Sequence, residues 1–319
     1  MSKEERTKNK EQRERNMLVH GCDCSIVIKT SECEMDVPYS DETLREAVSL
    51  LEEEAAIEGD GTCRAIRKYS GSTGCVITPL TIGTTPLLFY LAMGSAGNPV
   101  YVSETKNLYK YELNLLPLED TDHFDLIQDR QSQMRNEQLA MSNERRLFER
   151  CRVKGFELRV MRGEAIKLKL DICGERYPTV FLYKDRIDER KERDTGRERF
   201  NGDFATYKIN DKEYKNIYGV TLSSNKENGT RTELWIKRAL NKGSEIPHLI
   251  DKMTISAQLL RTRYEDRHFG KFRITLKKLI LTSDETNVNS NDTVIGSLRY
   301  YVTDTVATEI YNSGEKVIA

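Results

Sequence analysis

From Val153 to Ile172 apolar and polar residues alternate on both sides of Arg162-Gly163-Glu164, a pattern that leaves few folds open. Side chains of a strand point alternately to opposite faces, so strict alternation marks a strand with one packed and one solvated face. Phe156, Leu158 and Val160 form one apolar set, and Ile166, Leu168, Leu170 and Ile172 the next. Residues opposed across a hairpin share a face, so Val160 pairs with Ile166, Leu158 with Leu168 and Phe156 with Leu170. That register requires an odd loop, most simply Arg162-Gly163-Glu164. It also puts Glu157 opposite Lys169 and Arg159 opposite Lys167 on the polar face. The second pair is like-charged and costs up to ~1 kcal/mol unless a third group intervenes. A partner surface or a lined channel is one source of such a group; solvent screening is the simpler one.

The same period recurs along the chain. Tyr109, Tyr111, Leu113 and Leu115 alternate with Lys110, Glu112 and Asn114. Ile255 and Ala257 face inward between Thr254, Ser256 and Gln258, and Phe272, Ile274 and Leu276 continue the pattern until Lys277-Lys278 breaks its phase, which predicts a bulge. Repeated alternation argues for antiparallel sheet, because buried parallel strands read as continuous apolar runs. One helix is signalled over 85–94: Thr85 suits the cap, Pro86 the first turn and Gly94 the stop. It is apolar nearly all round and is therefore expected to be buried on more than one side. Asp41–Glu54 reads equally as helix or strand, since its closing acidic run would oppose a helix dipole. The expected fold is mainly β: an antiparallel sandwich or barrel with one short buried helix flanking the sheet, long loops and an N-terminal arm.

Charge is abundant but balanced. Among 319 residues, 50 are Lys or Arg and 51 are Asp or Glu, a formal net of −1. That excludes a net-basic nucleic-acid coat and an acidic disordered chain. Residues 2–16, within an arm taken as 1–16, mix both signs without an apolar stripe and read as flexible. A charged linker or loop at 184–202, densest over 184–199, divides the β domain into a first half at 17–183 and a second at 203–319. Asp129 to Arg146 reads as a surface excursion. The longest apolar run, Pro86 to Met93, is too short for a membrane span, and no apolar leader follows Met1. Seven cysteines from Cys22 to Cys173 include a close set, Cys22, Cys24 and Cys33 near His20, without metal-site spacing. Free thiols buried in strands are the expectation.

No chemistry-bearing constellation emerges. His20, His123, His248 and His268 are scattered, and neither Ser72 nor Ser95 lies in a nucleophile motif. Tyr69 to Gly74 lacks the lysine of a phosphate loop and reads as a turn. Asp120, Asp122, Asp125 and Asp129, and the acidic and amide residues from Asp284 to Asp292, lack the spacing and central glycine of a calcium loop and read as surface turns. Tyr109, Tyr111 and Tyr207 fall in expected strands and read as core. The residues therefore suggest neither an enzyme nor a metal or cofactor site, and suit an assembly subunit.

Several segments resemble bacteriophage and prophage tail tube proteins. TPLLFYLAMGSAG (85–97) followed by NLYKYELNLLP (107–117) is similar to the apolar helix and strand of that family's first half. CRVKGFELRVMRGEAIKLKLDI (151–172) is similar to its typical hairpin, and FGKFRITLKKLIL (269–281) with DTVIGSLRYYV (292–302) to its closing strands. The resemblance touches much of 45–175 and 203–311, and it does not extend to 2–16 or 184–199. It implies a virion protein assembled in the bacterial cytoplasm as hexameric rings that stack into a hollow tube. Each subunit would give a curved sheet to a shared barrel through which DNA passes, with sheath, tape-measure and tail terminator proteins as further partners. Glu157, Arg159, Lys167, Lys169 and Arg299 are the candidate assembly residues. Lys167 and Lys169 are expected on the outer or intersubunit side, because a basic lumen would hold phosphates. Two other readings remain: the inner tube of a contractile injection particle, and a monomeric β-sandwich carbohydrate-binding module. The module requires an exposed Trp or Tyr platform, and the single tryptophan, Trp235, sits in mid-strand.

Overall fold

Strands dominate because the alternating segments bury their apolar faces in one shared core. The computed structural model describes residues 24–52, 65–96, 100–103, 108–131, 143–183, 198–227, 229–239, 245–263, 266–288 and 294–313. The arm at 2–16 and residues 184–197 of the charged run lie outside them. In chain order the first strands are β1 Cys24–Lys29, β2 Glu34–Val37, β3 Asp41–Glu42, β4 Arg45–Glu52 and β5 Ala65–Pro79. Helix α1, Thr85–Met93, is followed by β6 Gly94–Ala96, β7 Val100–Ser103, β8 Leu108–Leu115 and β9 Phe124–Gln131. Then come β10 Asn143–Met161, β11 Lys167–Gly174, β12 Thr179–Tyr183, β13 Ala205–Ile209, β14 Lys212–Glu213 and β15 Ile217–Asn225. The last are β16 Arg231–Ala239, β17 Leu249–Arg263, β18 Asp266–Val288, β19 Val294–Val302 and β20 Val306–Ser313.

All pairings between these strands are antiparallel, and they form a mainly β body of sandwich or barrel type. The first sheet runs β4–β5–β11–β10–β15–β16–β19–β18. The second runs β14–β13–β17–β18–β20–β8, with β6 and β7 on the far edge of β8. Strand β18 belongs to both. Its residues 270–276 pair with β20, and from Leu279 it pairs with β19. The changeover sits at Lys278, whose φ of +52° is the predicted bulge. Burial changes phase there, from Phe272, Ile274 and Leu276 to Leu279. The N-terminal half of β10 also turns away, pairing with β9 and β12, while β9 carries β1 and β2.

Helix α1 is buried as expected. Its N-cap is Thr84 rather than Thr85, and the Thr85 hydroxyl instead donates to the Thr81 carbonyl. Gly94 ends it at φ +98°, its N–H donating to the Tyr90 carbonyl. Phe89 meets Phe272 at 5.5 Å between ring centroids, and Phe272 meets Phe200 at 5.4 Å, so one aromatic chain ties helix and sheet.

The hairpin register holds where the strands pair: Phe156 with Leu170, Glu157 with Lys169, Leu158 with Leu168 and Arg159 with Lys167. The expected Val160–Ile166 pair does not form. The Ile166 N–H donates to Phe200 O at 2.8 Å and its carbonyl accepts from the Leu80 N–H at 2.9 Å, so the backbone of Ile166 is engaged by other segments. Phe200, inside the stretch expected as a charged linker, is buried, and its N–H donates to the Leu80 carbonyl at 2.9 Å.

Three other readings change. Asp41–Glu54 is extended over its described residues, as β3 and β4 against β5. Tyr69–Gly74 lies inside β5 and is no turn: at Gly71, φ +122°, a Cβ would stand 2.1 Å from Gly174 O, so glycine here serves a bulged close approach. Asp129–Arg146 begins and ends in β9 and β10, with 132–142 outside the described residues. Asp129 is buried and takes both nitrogens of an Arg145 fork, at 2.6 and 2.8 Å, which is why a charged residue is tolerated there.

Candidate assembly faces

The five sequence candidates share one surface, the outer face of the first sheet. Adjacent strands set Lys167, Arg159, Thr221, Trp235 and Arg299 in one cross-strand row. Lys169, Glu157, Ser223, Glu233 and Tyr301 make the next. Arg299 is three strand spacings from Arg159, about 14 Å.

Local partners neutralise most of this charge. Glu164, from the hairpin's own turn, lies 3.2 Å from Arg159 and is the third group beside the Arg159–Lys167 pair. Lys169 faces Glu157 but bonds Asp171 at 3.1 Å, and this hydrogen bond raises its pKa. Glu233 holds Arg299 at 2.6 Å and Arg231 at 2.8 Å. The Arg299 guanidinium also covers the Trp235 ring at 4.9 Å from its centroid, and Arg231 lies over Tyr301 at 5.8 Å. A shallow recess of about 510 Å³ opens between Arg231, Arg299, Tyr301 and Ile280. Beside it, cross-strand partners Leu249 and Ile280 are both exposed. The sequence placed Trp235 in mid-strand, and the resemblance placed Tyr301 in a closing strand; their meeting with Arg231 and Glu233 depended on strand order, for which no local signal exists.

Apolar exposure also gathers on marginal strands. Val100, Tyr101 and Val102 are exposed in succession on β7, as are Val180 and Phe181 on β12. Phe204, just before β13, is 63% exposed. The outer face of the second sheet is different in character, a polar hollow with Thr206, Thr254, Ser256 and Thr275 on its floor.

The remaining candidates disperse. Tyr90 donates to Asp122, the Arg150 N–H donates to Asp125, and Asp129 is held by Arg145. Among the described residues no cluster of three or more His, Cys, Asp or Glu could hold a metal. Asp284 pairs with Arg238 at 3.5 Å, and 289–293 lie outside the described residues. His123 and Arg150 both bond Glu175, whose carboxyl they depress to about 2, Arg150 more strongly. Cys33, Cys75, Cys151 and Cys173 are free thiols; only Cys151 among them is fully buried, and desolvation pushes it up to about 12. Cys22 and His20 lie outside the described residues. Tyr111 and Tyr207 are core, and Tyr109 packs against it.

Lys226 carries no sequence signal. It is 2% exposed at the end of β15, with its Nζ 3.4 Å from the Met93 carbonyl at the end of α1. Desolvation lowers its pKa to about 8. Among the described residues no helix is long and apolar enough to cross a membrane. No family model matches the chain, and comparison with curated proteins finds no relative.

Proposed function

We propose that this protein is a structural subunit of a bacteriophage or prophage tail tube, polymerising as stacked hexameric rings around a channel for DNA. The observation that carries the reading is where large apolar side chains remain in water: the marginal strands β7 and β12, the approach to β13, and the Leu249–Ile280 pair. Exposed apolar strands invite pairing with further chain, so such a body gains stability when copies associate. The aromatic and arginine side chains around Trp235 have the composition of energetic centres in protein interfaces. The segments that resemble tail tube proteins supply the type of assembly.

The carbohydrate-binding reading needs an open aromatic platform, and one face of Trp235 is covered by Arg299. The inner tube of a contractile injection particle differs in cargo rather than in subunit surface. Electron microscopy of concentrated purified protein tests the proposal. Rings or tubes are expected, and a strict monomer at high concentration overturns it.

A further inference from the structure

Two arginines share one carboxylate on the outer face of the first sheet. Glu233 holds Arg299 on one oxygen, at 2.6 and 3.0 Å, and Arg231 on the other, at 2.8 Å. The recess they border, about 510 Å³, therefore carries one positive charge in excess. A guanidinium has five N–H donors, so sharing leaves donors on both for a further carboxylate. Flanking groups do not supply it. Lys278 pairs with Asp304 at 3.4 Å, and Lys237 and Glu285 stand on either side of Ser297. Asp251, on β17, is three strand spacings from β16, about 14 Å. Next to the arginines Leu249 and Ile280, opposed across β17 and β18, are 61% and 47% exposed. Such a surface fits a segment that carries carboxylates beside an aliphatic side chain.

This chain contains one. Residues 53–64 join β4 to β5 outside the described residues and read EEAAIEGDGTCR. Glu53, Glu54, Glu58 and Asp60 stand there against Arg64, around Ile57. In every other segment outside the described residues, the side-chain charges balance to within one. The recess of the same subunit is out of reach. Cys75, Asp171, Gly155, Asn225 and Arg231 form one cross-strand row, which levels the recess with Cys75. From Cys75 back to Ala65, where the segment rejoins the sheet, is ten residues of β5, about 33 Å. No residue of 53–64 is more than six from Glu52 or Ala65, so none extends beyond about 22 Å.

We propose that residues 53–60 of one copy dock in the Arg231–Arg299 recess of the next, with carboxylates on the two arginines and Ile57 against Leu249 and Ile280. The contact rests on the reading of this protein as an assembly subunit. Strands β4 and β5 lie at one margin of the first sheet and the recess toward the other, so each copy gives different surfaces to its two neighbours. Head-to-tail contact of this kind builds rings where its rotation closes.

Sedimentation velocity of the full-length protein, with electron microscopy of the same samples, tests it. The parent is expected to assemble. Glu53→Lys/Glu54→Lys/Glu58→Lys and Arg231→Gln/Arg299→Gln are each expected to associate about tenfold or more weakly, at melting temperatures near the parent's. An equimolar mixture of the two is expected to stop at dimers, because only one junction keeps both native halves. Lys208→Gln/Lys271→Gln, on the second sheet, removes the same charge and is expected to assemble as the parent does. If the arginine variant fails to fold, the glutamate variant, which alters no described contact, decides alone. Equal loss in the lysine control, or long assemblies from the mixture, overturns the proposal. Rings formed by the glutamate variant as readily as by the parent would defeat this inference and leave the tube. Dimers or open chains that require both halves, with no rings at any concentration, would defeat the tube and leave this contact. A parent that stays monomeric overturns both.

Discussion

The outer faces of the two sheets use charge in opposite ways. On the first, Glu164, Asp171 and Glu233 stand within ion-pair distance of Arg159, Lys169, Arg231 and Arg299, and arginines lie over Trp235 and Tyr301. On the second, Lys208 and Lys271 form no ion pair among the described residues, and the hydroxyls of Thr206, Thr254, Ser256 and Thr275 line the same hollow. A face whose charges are matched can be covered by protein at low desolvation cost, whereas unmatched cations favour a hydrated, screened contact. Balanced composition thus conceals two surfaces that differ in how their charges are paired.

Both faces depend on one core, and that is where the comparison breaks most easily. Phe272→Ala removes the ring that joins Phe89 and Phe200 and should cost about 3–5 kcal/mol in urea unfolding, disordering both faces together. If only the second face became disordered, the sheets would be energetically separate.

Lys226 is next. Its pKa of about 8 in the folded protein lies below the ordinary 10.5, so its charge opposes folding. The penalty is complete below pH 8 and fades as pH rises toward 10.5, since the unfolded chain then binds the extra proton. Lys226→Met should therefore stabilise the protein at pH 7 by about 2 kcal/mol, and by less at higher pH, in paired denaturation curves. An equal gain at all pH values would show that packing, not charge, was responsible.

On the first face, Trp235→Ala should weaken self-association about tenfold in sedimentation while changing stability by less than about 1 kcal/mol, because interface aromatics contribute mainly to binding. The same assay applied to Lys208→Gln should show no change, which sharpens the division between faces. The smallest effect concerns the like-charged pair. Glu164→Gln should cost about 0.5 kcal/mol by leaving Arg159 beside Lys167, and adding Lys167→Gln should restore most of it.

The hairpin shows what can be read locally. Glu157–Lys169 and Arg159–Lys167 follow from alternation alone, because a one-residue slip would turn every apolar side chain to water. Ile166 escapes that logic, since Phe200 and Leu80, distant from it in sequence, take its N–H and its carbonyl. Gly71 likewise resembles a turn residue until Gly174 lies against it. The candidate residues on β10 and β11 were visible as a polar face, while the partners of Arg299 were not.

Sequence by itself determined the local terms: strand or helix, which side chains turn inward, the phase break at Lys278, and the antiparallel character. These follow from chain geometry and hydrophobic burial over a few residues. Only the tertiary structure decided that β18 serves two sheets, that Glu233 binds two arginines, and that Lys208 and Lys271 share a hollow. Those depend on which strands become neighbours, a choice made by the free energy of the whole core.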